Sequence, residues 1–394
     1  MGIKKLFTFL NNNDLFNVYP YLNDLIDELN IDKKKLLVGV DGNLFCHKYT
    51  HSYDNMLIGF FNQILKFLSN KIIPIYIFDG GTLPEKENTN IMRYQKKIIS
   101  KYKLEQLENI LDFEKNIYDK TNLLLLKKKL EKNSTKINNE SIVLVLELFD
   151  LLNIPYIFSH GEGEYLAVLL NKYNIIDMFL SDDTDPIPAG INKIIKFYNN
   201  NVYYLETKLI YDKLSINKKE FCDFCILMGS DYLTFNHGKK PNEILELIHK
   251  YKTIENIHQQ NIISCLTDEL FILIDKIRNI YNESDLLEKK FIIGKNNETD
   301  TNINLLIDHS NISFYSNIML EFWEDFLNIL NKNNEDEINN LSNDFKHNIY
   351  KFISNKKFNV KNILKYIKNN IKDITEEEIT NMIISFDFLN TFGI

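Results

Sequence analysis

Apolar positions along the chain follow two rhythms. Four short runs, Leu36–Val40, Ile73–Phe78, Ile154–Phe158 and Ile176–Leu180, are dominated by β-branched and aliphatic residues, and acids follow each within a few positions. Continuous apolar runs bounded by turns read as strands buried on both faces. Between them lie amphipathic stretches of helix length, such as Asp54 to Ser69 and Ser141 to Leu152. Alternating strand and helix predicts a mostly parallel α/β sheet flanked by helices. In such sheets the ligand crevice lies beyond the carboxyl ends of the strands, which is where the acids gather.

From Lys86 to Lys136 the rhythm changes. This stretch has no Pro or Gly, is helix-compatible and carries 13 Lys/Arg against 7 Asp/Glu. It reads as an insertion projecting from the sheet, in competition with a merely solvated helical hairpin. After Asp185, Ile195–Phe197 and Val202–Leu205 predict two further strands. Lys218–Met228 and Asn242–Tyr251 predict helices around a turn from Gly229 to Pro241. From about Ile262 the chain is helix-prone, Asn-rich and acidic, and Asn331–Asn340 is polar enough for a linker or long loop. The expected organisation is therefore an α/β core over 1–215 with the insertion at 86–136, a helix–turn–helix element over 216–261, and a mainly helical region over 262–394.

Composition narrows the class. The 394 residues, 44% of them hydrophobic, suffice for two or three domains at roughly 100–200 residues each. No apolar run approaches the roughly 18 residues of a membrane span, and the first six residues lack a signal-peptide apolar region. Four cysteines do not make a disulfide framework, so an intracellular, non-secreted location is expected. Only Arg93 and Arg278 among 46 basic residues are arginine, a bias typical of an AT-rich genome, viral or protist. The net charge of -8 argues against a nucleic-acid partner until it is divided. Residues 262–394 hold 14 Lys/Arg against 21 Asp/Glu, which hides a basic insertion and a near-neutral first two thirds.

The acids at strand ends and helix starts are Asp41, Asp79, Glu162, Glu164, Asp183, Asp185 and Asp231. Side chains two apart on extended backbone point the same way, so Glu162 with Glu164 and Asp183 with Asp185 each converge on one spot. Acids gathered without cations repel, and hard divalent ions such as Mg²⁺ or Mn²⁺ resolve that repulsion. Two ions about 4 Å apart activate water and steady a leaving oxygen in phosphodiester cleavage. Any one of these acids alone would be read as a solvated loop residue; the recurrence at four strand ends makes the set. Lys86 and Arg93, seven positions apart, fall near one helical face and suit a scissile phosphate.

At this point the chain resembles the flap endonuclease/XPG family of structure-specific 5′ nucleases, which have a PIN-like fold. The resemblance rests on Met1–Leu6 (MGIKKL), Val40–Asn43 (VDGN), Tyr76–Gly80 (YIFDG), Gly161–Glu164 (GEGE), Asp182–Asp185 (DDTD) and Cys225–Tyr232 (CILMGSDY), over about residues 1–255. It implies that the seven acids hold two Mg²⁺ ions, with Mn²⁺ able to substitute, and that Asp183 and Asp231 are central to catalysis. It implies that Lys86 and Arg93 stand at the base of a helical arch, through which 5′ single strands pass. It further implies DNA contacts at Gly2, His47, Lys96, Lys97, Gly238, Lys239 and Lys240. The partner would be DNA with a 5′ flap or 5′ end, met by a monomer in the nucleus or at a cytoplasmic viral replication site.

Three departures stand out. The family's turn reads Gly-Ile-Gly-Pro where this chain has Gly238-Lys-Lys-Pro241; the missing glycine counts against the family's K⁺ site, and Lys239 and Lys240 offer direct phosphate contacts instead. His47 stands where the family often has a base-stacking Tyr. No Gln follows Gln260, so no sliding-clamp motif of the usual kind is present. Cys222 and Cys225 are half a zinc site without a second pair and are expected to pack. Two other functions compete: a 5′-3′ exoribonuclease of Xrn type, which shares a Gly-Glu-Gly-Glu sequence, and a catalytically decayed binding scaffold. The complete acid set argues against the second.

Overall fold

The computed structural model describes residues 2–282, except 30–35, 53–54, 81–83, 112–116, 135–136, 138, 160–161 and 236. Further on it describes 340, 343–344, 346–347, 360–371, 375 and 377–380. The expected 331–340 linker, save its last residue, and most of 262–394 lie outside the described residues, as does Gly161.

The sheet contains β1 (Asn17–Tyr19), β2 (Leu36–Asp41), β3 (Ile72–Phe78), β4 (Tyr156–Phe158), β5 (Met178–Leu180), β6 (Lys193–Tyr198) and β7 (Asn201–Glu206). Their order is β1-β7-β6-β5-β2-β3-β4. The five strands from β6 to β4 pair in parallel, while β7 runs antiparallel to both β6 and β1. All residues of β2 and β3 are buried, which is why both read as unbroken apolar runs. Alternation divides them between two cores: Ile73, Ile75 and Ile77 enter one, and Ile72, Tyr76 and Phe78 the other. The edge strand β1, three residues long, carries no run to betray it and is absent from the sequence reading.

The first core is covered by α1 (Leu6–Asn12), α8 (Gly163–Lys172), α9 (Pro186–Ala189), α10 (Thr207–Leu214), α11 (Lys218–Met228), α12 (Pro241–Tyr251), α13 (Ile254–Gln259) and α14 (Asp268–Tyr281). The second is covered by α2 (Leu22–Glu28), α3 (Gly42–Ser52), α4 (Met56–Ser69), α7 (Asn139–Leu152) and α15 (Val360–Asn370). Thus part of the C-terminal region completes the core. Ile363, Ile367 and Ile371 of that region are buried there, and the Tyr366 hydroxyl donates to the Leu144 carbonyl at 2.7 Å. No helix among the described residues is long and apolar enough to cross a membrane.

The insertion forms two long helices, α5 (Glu87–Leu111) and α6 (Ile117–Ser134), packed on each other. Their shared core is small: Leu107, Leu111 and Leu130. The cysteines pack as expected, with Cys222 Sγ donating to the Pro188 carbonyl at 3.4 Å. Arg278 grips buried Asp223 through two nitrogens at 2.8 Å each and also reaches Glu255, tying α14 to α11 and α13. A planar fork is what such a bidentate pair requires, so one of the two arginines serves the scaffold.

Candidate active site

Several elements position the acids. Asp41 ends β2, and its carboxylate accepts from Leu44 N–H and the Ser181 hydroxyl, both at 2.9 Å. Asp79 follows β3 and accepts from Asn43 Nδ2 and Gly163 N–H, both at 2.6 Å. Gly163 sits close under β3, where a Cβ would lie 3.3 Å from Asp79 Oδ1. Glu162 and Glu164 do not share extended backbone as the spacing suggested. Glu162 is the N-cap of α8 and Glu164 lies in its first turn, where the helix dipole favours negative charge. Asp231 follows a helix, not a strand: α11 stops at Gly229, whose φ of 84° turns the chain.

Asp185 caps α9. That short helix accounts for Pro186, which occupies its first position, where a fixed φ is pre-set and no N–H is needed. Glu164, Asp183 and Asp185 each offer an oxygen within 4.8 Å of the others. Asp185 is fully buried and neither of its oxygens has a hydrogen-bond partner; Glu164 Oε2 is likewise buried without one. Buried polar groups left in this way are rare in folded proteins. Three convergent acids, with orphan oxygens on Glu164 and Asp185, are a donor set suited to a hard divalent cation.

The electrostatics agree. Burial first, then neighbouring Asp79 and Asp183, push Asp41 up to about 7. Burial and then Asp183 push Asp185 up to about 8, and burial and then Asp183 carry Glu164 well above the usual carboxylate range. Cations from the arch answer this charge. Lys86 lies in a 3₁₀ turn just before α5, not on the helix itself. It is buried, 2.7 Å from Glu162 Oε2 and 3.7 Å from Asp185 Oδ2. Burial lowers its pKa, but Asp185, Glu164 and Glu162 more than offset this and raise it. Arg93, one helical stretch further, pairs with Asp231, so the two cations meet different acids instead of one point.

A cleft of about 820 Å³ joins the acids to the arch. Asp41, Asp79, Glu162, Glu164, Asp183 and Asp231 line it together with Lys86, Arg93, His47, Lys96 and Lys97, and Asp185 is not among the lining residues. Burial, then Lys97, lowers the pKa of His47, so its ring faces the cleft as neutral imidazole at neutral pH. Gly2 sits against the site with φ 46°, and a Cβ there would overlap Asp183 Oδ1.

Gly238, Lys239 and Lys240 are outside this cleft. Gly238 has φ 70° and open space around it. The N–H groups of Lys239 and Lys240 are engaged by His237 Nδ1 at 3.0 Å and Glu243 Oε2 at 2.5 Å. Sequence reasoning missed Asn43, Ser181, Thr184 and Tyr232. Tyr232 donates to Glu162 at 3.2 Å, with the Lys86 ammonium 4.8 Å from its ring centre. Only its place beside Asp231 hinted at this.

The XPG N-terminal domain matches residues 1–101 and the XPG I-region matches 153–231. Flap endonuclease 1 of Drosophila yakuba is 28% identical over 207 residues, 51% of each chain. Flap endonuclease 1-B of Xenopus laevis is 27% identical over 228 residues, 56% of each chain. Flap endonuclease 1 of Saccharolobus solfataricus is 28% identical over 278 residues, 65% of this chain and 75% of that protein. The chain thus spans about half the length of the first two relatives. Among solved structures, the catalytic core of Rad2 in complex with DNA substrate superposes with a TM-score of 0.56 at 16% identity, covering 98% of this chain and 100% of that one. That likeness concerns the fold.

Proposed function

We propose that this chain, which matches the XPG N-terminal domain over 1–101 and the XPG I-region over 153–231, is a structure-specific 5′ nuclease that hydrolyses DNA phosphodiester bonds at 5′ flaps or 5′ ends, in replication, repair or recombination. The observation that carries this is the cleft itself, with an acidic floor at the carboxyl ends of the strands beneath a basic helical wall. Its likeness to a Rad2 core solved with DNA substrate supports the choice of partner.

Glu164, Asp183 and Asp185 would hold one Mg²⁺, with Mn²⁺ able to replace it, and Asp41, Asp79, Glu162 and Asp231 would help to hold a second. When bound, such ions supply an activated water and charge for the leaving oxygen. The remaining work falls to the chain's own side chains. Lys86, rigid between Glu162 and Asp185, presents its ammonium to the scissile phosphate. Arg93 exchanges its Asp231 contact for the phosphate fork it is shaped to grip. Lys96 and Lys97 draw the 5′ strand along the arch, and neutral His47 offers a face for stacking.

The organisation assigned from sequence goes with this: a nuclease core over 1–215 and an element over 216–261 that seats duplex backbone through Lys239 and Lys240, independent of a K⁺ ion. A monomer acting in the nucleus or at a cytoplasmic viral replication site completes the reading.

The test is cleavage by the purified full chain of labelled 5′-flap DNA, blunt duplex, Holliday junction and 5′-phosphorylated RNA, in Mg²⁺ and in EDTA. Mg²⁺-dependent cutting of flap DNA is expected, with none in EDTA. Inactivity on every DNA with both Mg²⁺ and Mn²⁺ would sink the proposal, and cutting of RNA alone would replace it with the exoribonuclease.

A further inference from the structure

We propose that the first residues of the chain form a strap that holds two acid-bearing loops in register, and that Thr184 is the positioning residue that fastens it. The inference rests on the metal reading above but concerns how that site is kept in shape.

The strap is Gly2–Lys4. Ile3 N–H donates to Thr184 Oγ1 at 2.9 Å, and the same hydroxyl donates back to the Ile3 carbonyl at 3.5 Å. One residue on, Lys4 N–H donates to the Gly229 carbonyl at 2.9 Å, two positions before Asp231. Three consecutive residues therefore bridge the loop of Asp183 and Asp185 to the loop of Asp231. Thr184 stands between the first two acids and is buried, and its own N–H donates to Asp183 Oδ1 at 2.6 Å. Gly2 closes the contact from the other side, since any Cβ there would overlap that same carboxylate oxygen and approach Thr184 Oγ1 to 2.7 Å.

Like charges on the two loops push them apart. A neutral two-way hydrogen bond to a fixed backbone resists this without adding charge to the site. Valine would fill the same volume, but only a hydroxyl can accept from Ile3 N–H. Partners of this kind set ligand orientation, and removing one typically costs about 10–100-fold in metal affinity.

The experiment is a Mn²⁺ titration of the full chain without nucleic acid, with bound ion read from loss of the free-Mn²⁺ paramagnetic resonance signal. Thr184→Val is expected to weaken Mn²⁺ binding by about ten-fold, whereas Thr184→Ser, which keeps the hydroxyl, stays near wild type. Gly2→Ala, whose Cβ would press on Asp183 Oδ1 and Thr184 Oγ1, should weaken binding in the same direction and serves if Thr184→Val does not fold. Wild-type affinity in Thr184→Val or, should that variant not fold, in Gly2→Ala overturns the strap while the metal reading stands. A Thr184→Ser variant as weak as Thr184→Val overturns the role of the hydroxyl. A wild-type protein that binds no Mn²⁺ overturns the strap and the metal reading together.

Discussion

The acidic floor and the helical arch meet across one cleft, yet they are built by opposite rules. The acids of the floor are anchored at the boundaries of several core elements: β2 for Asp41, β3 for Asp79, the start of α8 for Glu162 and Glu164, the start of α9 for Asp185 and the turn after α11 for Asp231. Side chains around them, such as Phe78, Phe149 and Phe179, are buried almost completely. The arch spans two long helices with only Leu107, Leu111 and Leu130 at its centre, while Ile91, Tyr94, Ile98, Tyr102 and Leu125 are exposed. Tight packing suits groups that must keep sub-ångström geometry. A thinly packed wall suits groups that must meet a polymer entering from solvent, because such elements open at low free-energy cost. On the proposed function the division is one of labour: chemistry on the floor, capture on the wall.

The largest expected effect comes from striking the floor. Asp185→Asn keeps shape while replacing one of two carboxyl oxygens that have no hydrogen-bond partner. Mg²⁺-dependent cleavage of flap DNA should fall by about 10³-fold or more, with flap binding nearly unchanged in a gel-shift assay. Equal losses in cleavage and binding would erase the distinction between floor and wall.

Strikes on the wall should separate by distance from the floor. Arg93 touches Asp231, whereas Lys96 and Lys97 line the cleft farther along α5. Arg93→Ala is expected to slow single-turnover cleavage by about 100-fold and to change binding only slightly. The double change Lys96→Ala with Lys97→Ala should instead weaken binding by several-fold and shallow the slope of log affinity against log salt by up to about 2. Should Arg93→Ala lose binding and not rate, that cation belongs to capture.

How much of this the sequence could disclose follows from what pattern encodes. The parallel strands were legible because burial on both faces makes them uniformly apolar, and the order of acids along the chain was legible because each lies at an element boundary. The grouping within the set was not. Extended spacing suggested that Glu162 and Glu164 act as a pair, but α8 begins between them and sends Glu164 to join Asp183 and Asp185. Nor could spacing reveal that Lys86 and Arg93 reach different acids, since the helix begins just after Lys86. Partners such as Ser181, Asn43 and Thr184 are polar residues with no periodicity, and only the folded chain brings them to the carboxylates. The edge strand β1 failed for a simpler reason: three residues cannot show a period.

The smallest expected effect probes the comparison at its foundation, because it concerns stability alone. Leu107 is 4% exposed, as buried as many residues of the main core, so burial by itself predicts a costly truncation. Its neighbours belong to the arch cluster alone, and the ion pair between Lys127 and Glu108 at 2.9 Å is surface-exposed and worth little. Leu107→Ala should therefore leave the main unfolding transition within about 2 °C of wild type, while amide hydrogens of α5 and α6 exchange faster. Phe149→Ala, in the core beneath the floor, removes stacking on Tyr76 at 4.3 Å and should cost about 3–5 kcal/mol globally. A Leu107→Ala transition lowered as far as that of Phe149→Ala would mean that arch and sheet unfold as one unit, and the contrast in packing would then carry no contrast in function.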